Sequence, residues 1–230
     1  MNRTAFSRHT LAAVAAITLF ANPLWAEPAP DADGLAAVKA KRVDQAYVLP
    51  GADFRPYTAI LLEPVDASFA KNWQRDYNSN SPGLGTDITN EEAAKILDQV
   101  RTGAAGVFTK SFTKGGYRIV QQPGPDVLRV KVSLSDIRVT APDINSAGRG
   151  RTYARDAGSA VMTLEAADSV SGKLLGRAVD KRDIGDSGTM MWARNSVTNQ
   201  SDFERAFTIW ANDGVKALTN LKAGGNVFVN

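Results

Sequence analysis

The segment Gly148-Arg149-Gly150-Arg151-Thr152-Tyr153-Ala154-Arg155 places three guanidinium groups and a phenol close together in the chain. Guanidinium forks grip carboxylates and phosphates through paired hydrogen bonds, and a tyrosine ring stacks on a partner. The neighbouring glycines leave peptide N–H groups open to approach. Arginine and tyrosine are also favoured where interfaces draw most of their binding energy. Arg149, Arg151, Tyr153 and Arg155 are therefore the candidate partner-binding residues, joined by Trp73 from a second loop that carries Arg75 and Tyr77. The alternative is a solvated hairpin loop whose arginines pair with Asp143, Asp156 or nearby acids, and, for Trp73, a ring folded back onto the core.

Catalytic chemistry has little to draw on. The chain has no cysteine and one histidine, His9, which lies in a segment that reads as a cleavable leader. Serine–histidine triads, cysteine nucleophiles and ordinary zinc sites are thereby excluded from the mature chain, and neither metal nor cofactor is expected. Gly185-Asp186-Ser187-Gly188 is similar to a serine-protease nucleophile segment, but Thr189 departs from it and no mature histidine can activate Ser187. Ser68-Phe69-Ala70-Lys71 matches the serine–lysine motif of penicillin-binding proteins without its companion motifs, so a loop after the first strand is the expected reading. Carboxylates remain. Glycoside hydrolysis needs two, about 5.5 Å or about 6.5 to 9.5 Å apart, and Glu63, Asp66, Asp136 and Glu165 lie on or beside expected strands. Asp183 and Asp186 offer too few oxygens for a calcium loop.

Arg3, Arg8 and His9 precede the apolar run from Leu11 to Phe20, and Pro23 leads into Leu24-Trp25-Ala26. This is the layout of a secretion signal cut after Ala26, and a run of ten residues makes only about 15 Å of helix against a hydrocarbon core of about 30 Å. No later segment is long enough to span a membrane. The expected destination is a bacterial periplasm. Removing residues 1–26 takes away two arginines and no acid, so the formal charge of +3 becomes +1. Near neutrality argues against a general nucleic-acid binder. The remaining length suits one domain with a substantial core.

The elements that must position these residues follow from patterning. Residues 27–50 read as an extended lead-in, a linker or a short helix, with residues 51–223 as a single domain and 224–230 as a tail. Thr58 to Val65 reads as a buried strand that ends at an edge or bulge near Pro64. Thr89 and Glu92 form a capping box for a long helix that Gly115-Gly116 stops, with Gly103 and Gly106 explained by close packing on the sheet. Tyr117 to Gln121 begins a strand. Leu128, Val130, Val132 and Leu134 alternate with Arg129, Lys131, Ser133 and Ser135, and the phase then shifts to Ile137 and Val139, which requires a bulge near Asp136. Ala160 to Ala166 and Lys173 to Arg182 form a hairpin through Asp168–Gly172. A last helix is expected from a second capping box, Ser201 and Glu204. The fold class is α/β (α+β): a single mixed, mainly antiparallel sheet covered by two long helices.

Several segments resemble the bacterial family known as domain of unknown function 3313. They are Tyr47 to Asp53 leading to Tyr57, Leu62-Glu63-Pro64-Val65 followed by Trp73, Gly124 to Arg129, Thr152 to Arg155 with Ala157-Gly158, and Asp168 to Leu175, together spanning about residues 44 to 222. The resemblance implies an envelope protein. Members are commonly lipoproteins, and this chain departs from that pattern because it has no cysteine to acylate. The element order is also similar to small domains of envelope accessory lipoproteins, a likeness of topology that does not transfer function. The expectation is an exported, non-catalytic accessory or binding protein whose arginine loop recognises an acidic protein surface or an anionic envelope polymer. The alternative is a carboxylate-dependent hydrolase of envelope glycans.

Overall fold

The computed structural model describes residues 31–80, 87–140, 152–154, 156–185, 192–194 and 196–224. Residues 1–26, expected as a cleavable leader, lie outside them, as does the tail beyond Gly224. Residues 27–50, read above as a linker or short helix, instead supply two strands, β1 (Ala36–Val38) and β2 (Gln45–Val48), which join the main sheet. Their short, weakly apolar sequences carry little periodicity, so pairing rather than propensity defines them.

The strand expected over Thr58 to Val65 is two strands, β3 (Ala59–Leu62) and β4 (Asp66–Phe69). The register shows why. Leu62 pairs with Val130 and Asp66 with Ser133, so three residues including Pro64 oppose two, and proline brings no N–H to the ladder. Ser68 is consequently in β4 and not in a loop. The polar segment after it is not a loop either: it forms α1 (Trp73–Asn80). The Thr89–Glu92 capping box opens α2 (Asn90–Lys114), and Gly115 N–H donates to the Ser111 carbonyl at its end. A Cβ on Gly103 would meet Phe207 at 3.9 Å and one on Gly106 would meet nothing, so these glycines do not serve packing on the sheet.

After β5 (Arg118–Ile119), the chain enters β6 (Val127–Val139), the long strand along which the fold is organised. The phase shift read from its sequence is a bulge. Asp136 has φ +51°, and β6 gains one residue there relative to both neighbours. Next come β7 (Thr152–Ala154), β8 (Gly158–Asp168), β9 (Leu174–Ile184), β10 (Trp192–Arg194) and α3 (Ser196–Lys222). The last helix starts before Ser201, which is therefore an interior residue and not a cap.

The main sheet runs β1-β2-β9-β8-β6-β3-β5, with β4 beside the far half of β6. Pairs involving β3 and β4 are parallel and the rest antiparallel. The fold is thus the expected mixed, mainly antiparallel sheet with two long helices, plus short α1 and a separate β7–β10 ribbon. Leu128, Val130, Val132, Leu134 and Met162 bury against Phe108 and Phe112 of α2 and Phe203, Phe207 and Trp210 of α3. Each such side chain contributes roughly 1.5–3 kcal/mol by leaving water. Arg129, Lys131, Ser133 and Ser135 alternate with that buried set and stay half-exposed.

Candidate functional site at the end of the long strand

At its C-terminal end β6 loses its neighbour on one side. The Ala70 N–H donates to the Ile137 carbonyl at 3.0 Å, but the Ala70 carbonyl turns away and accepts the Trp73 N–H at 2.9 Å. Asn72 makes the turn at φ +62°. α1 then flanks the end of β6 without joining its ladder. Its position is fixed by Asn78, whose side chain both accepts the Ile88 N–H (2.8 Å) and donates to the Ile88 carbonyl (3.0 Å), with Gln74 donating to the same carbonyl.

Between α1 and the end of β6 lies an open cleft of about 340 Å³, lined by Trp73, Asp76, Tyr77, Asn80, Arg138, Val139 and Thr140. Trp73 is only 5% exposed and stacks on Phe69 with ring centroids 4.0 Å apart, so it forms the base of the cleft rather than a projecting anchor. Tyr77 follows one turn later, its centroid 6.0 Å from that of Trp73. Asp76 is neutralised by Arg75 at 2.9 Å.

The cations of β6 differ in one respect. Arg129 pairs with Glu63 at 3.4 Å and Lys131 with Asp66 at 3.3 Å, whereas exposed Arg138 has no ion pair among the described residues. Sequence reasoning missed Arg138, because nothing in the alternation distinguishes it from its paired neighbours; its proximity to the arginine-rich loop was the available signal.

The same end of the sheet is the stem of that loop. Thr140 N–H donates to the Ala157 carbonyl (3.0 Å), Thr140 Oγ1 to Asp156 Oδ1 (2.9 Å), and Ala157 N–H to the Ile184 carbonyl (2.7 Å). Arg149, Arg151 and Arg155 lie outside the described residues, as do Asp143, Asp186 and Ser187. Tyr153 is in β7, opposite Ala193 of β10, so the β6–β8 and β9–α3 connections are paired with each other. Of the expected site residues, the structure places Trp73 in the cleft and Tyr153 on a paired strand.

Three of the four alternative carboxylates face a cation. Glu63 and Asp66 make the pairs above, and Glu165 accepts Arg177 Nε at 2.8 Å while Arg177 also holds Asp31 and Asp33. Asp136 is exposed at the bulge, and Ser68 and Lys71 are both exposed. Among the described residues no group of three or more His, Cys, Asp or Glu side chains is arranged to hold a metal ion.

The opposite end of the sheet gathers three of the segments quoted for the family resemblance. Tyr57 OH donates to Asp168 Oδ2 at 3.0 Å, Ser169 Oγ bridges the Gly124 N–H and carbonyl at 3.0 Å each, and Leu49 N–H donates to the Leu175 carbonyl. Burial and then the Asp168 hydrogen bond push the Tyr57 phenol up to about 12. The Ser171 hydroxyl and N–H hold Asp168 below the usual carboxylate range, and the Thr58 hydroxyl with Arg118 does the same for Asp126. These groups satisfy one another, which makes this end a structural clasp.

No helix among the described residues is long and apolar enough to cross a membrane. No curated protein matches the chain. Among solved structures it is similar to the PelC dodecamer from Paraburkholderia phytofirmans (11% identity, 71% of this chain and 95% of that one, TM-score 0.33). It is also similar to XCC0632 from Xanthomonas campestris, a DUF330 protein (14%, 81% and 94%, 0.32), and to a neuraminyllactose-binding hemagglutinin homolog from Helicobacter pylori (12%, 75% and 88%, 0.31). These likenesses are too remote to carry any residue's role across. The sequence resemblance is borne out by a family model that matches residues 29–213, and the chain belongs to the family described as protein of unknown function (DUF3313).

Proposed function

We propose that this protein is an exported, non-catalytic accessory or binding protein of the bacterial cell envelope, resident in the periplasm, which recognises an acidic protein surface or an anionic polymer. One observation carries the reading: the cleft holding Arg138, which has no ion pair among the described residues, opens at the stem of the loop that contains Arg149, Arg151, Tyr153 and Arg155. An exposed guanidinium that no carboxylate among the described residues engages keeps its bidentate donors for a partner. The leader supplies the export route, and the absence of histidine and cysteine from the mature chain leaves recognition as the better-supported role. A glycan hydrolase gains no support from the carboxylates, since Glu63, Asp66 and Glu165 each face a cation.

The test is crosslinking in the envelope with the full precursor beside an Arg149→Ala, Arg151→Ala, Arg155→Ala variant. A defined partner captured by the parent and lost from the folded variant is expected. Equal capture by both would remove the arginine loop from the binding surface.

A further inference from the structure

The end of β6 offers more than charge. Thr140 N–H and the Arg138 carbonyl side of the strand point toward β8, as the Thr140 to Ala157 bond and the Arg138–Ser159 register require. Strand residues alternate the direction of their peptide groups, so the N–H and carbonyl of Val139 point the other way, toward α1. β4 has ended by then, and the Ala70 carbonyl that would have met the Val139 N–H is spent on Trp73. Val139 makes no hydrogen bond on that side among the described residues. Its peptide groups therefore lie along the cleft as a short, unpaired strand edge. A buried peptide group without a partner is costly, and a free strand edge is a template for another extended backbone.

Arg138 and Tyr77 sharpen the chemistry. Arg138 lines the cleft without an ion pair, Asp76 is already neutralised by Arg75, and the Tyr77 hydroxyl has no hydrogen-bond partner among the described residues. Of the charged residues that line the cleft, Arg138 is the one left without a charged partner among the described residues, while Asp136 at the bulge and Asp156 on Thr140 lie outside the lining. A donor and an acceptor on one edge residue match a peptide backbone, which presents both at strand spacing.

From this geometry we infer that the free edge of β6 at Val139 receives an extended, acidic peptide segment of a partner protein, which adds a short strand beside β6 and places a carboxylate on Arg138. The inference rests on the binding reading above and names its partner class as protein.

The probe is a blocked Val-Glu-Val-Glu-Val-Glu peptide, titrated into the isotopically labelled full chain and followed through backbone amide signals. Two control peptides separate the contributions: one N-methylated at alternate residues, which removes strand donors, and one with glutamine for glutamate. The expected result is a shift and slowed exchange of the Val139 amide, with binding weakened roughly tenfold or more by N-methylation, by the neutral peptide and by Arg138→Ala. Arg138 is exposed, so that variant keeps the fold, and the unchanged remainder of the amide spectrum verifies it. Binding that leaves the Val139 amide unmoved, binding equally strong after N-methylation, or no binding overturns the inference. The Arg149, Arg151, Arg155 variant distinguishes the two readings. If it loses the crosslinked partner while N-methylation is without effect, loop recognition stands and strand addition falls; if it keeps that partner while the Val139 edge responds as expected, the reverse holds.

Discussion

Trp210 Nε1 donates to Asp180 Oδ2 across 2.7 Å beneath α3, where Trp210 is fully buried and Asp180 is 4% exposed. The same carboxylate accepts Arg182 Nε at 2.6 Å and the Asp44 N–H at 3.1 Å. Arg182 reaches the Arg42 carbonyl, and Arg42 pairs with buried Asp213 at 3.2 Å. This network ties the approach to β2 onto β9 and α3, which is why residues before position 51 belong to the sheet. Removing one member of a buried ionic network leaves its partners uncompensated. Asp180→Ala is expected to cost about 3–5 kcal/mol in denaturant unfolding and Trp210→Phe about 1–3 kcal/mol. The double variant should lose less than the sum, because both remove the same bond. Strict additivity would show that the bond contributes nothing.

Gly158 is the tightest backbone position at the cleft end. It has φ +145°, and a Cβ there would lie 1.9 Å from the Arg138 carbonyl oxygen. That neighbour is main chain in a paired strand and cannot swing aside. Gly158→Ala is expected to cost about 3 kcal/mol or more and to disturb the Arg138 end of β6. Gly106→Ala is the matched contrast: it sits in α2 with open space around its Cβ, and the gain in helix propensity should raise stability by about 0.4–1 kcal/mol. Thermal unfolding of both checks the pair, and equal effects would contradict the geometry.

The clasp at the other end predicts loss of stability in two pH windows. Asp168 titrates below its ordinary 3.8 in the folded state, so its contribution is present above that value and is lost as pH falls through the lowered pKa. Tyr57 is raised from 10.0 to about 12, so its contribution is present below 10 and is lost as pH rises toward 12. Tyr57→Phe should flatten the alkaline decline and weaken the acid one, since Asp168 also loses a donor. Denaturant midpoints measured across pH test this. An unchanged alkaline limb in Tyr57→Phe would remove Tyr57 as its source.

What could be read in advance depended on whether the signal was local. The bulge at Asp136 was legible because the apolar phase of β6 changes within the strand itself. The α2 cap was legible because Thr89 and Glu92 bond each other at fixed spacing. By contrast, α1 is polar, and its one apolar clue, Trp73 and Tyr77 four residues apart, is equally compatible with a loop. The second capping box misled because Ser201 and Glu204 also occur inside a helix that begins at Ser196. For the site, composition drew attention to the arginine loop, but the status of Arg138 depends on which acids Arg129 and Lys131 take, and that is settled only by the β3–β4–β6 arrangement.

Trp73 and Arg138 line one cleft yet should fail differently when removed. Trp73 is a core ring stacked on Phe69, so Trp73→Ala is expected to cost about 3–5 kcal/mol, and any loss of binding should follow from loss of fold. Arg138 is exposed and makes no ion pair among the described residues, so Arg138→Ala should change stability by no more than about 0.5 kcal/mol. Arg138→Lys keeps the charge but loses the planar fork, and should restore only part of the acidic-peptide affinity. Unfolding curves set beside peptide titrations for the three variants separate the roles. A strongly destabilised Arg138→Ala would mean that the guanidinium supports the fold, and a stable Trp73→Ala that still loses the peptide would make the indole a contact residue after all.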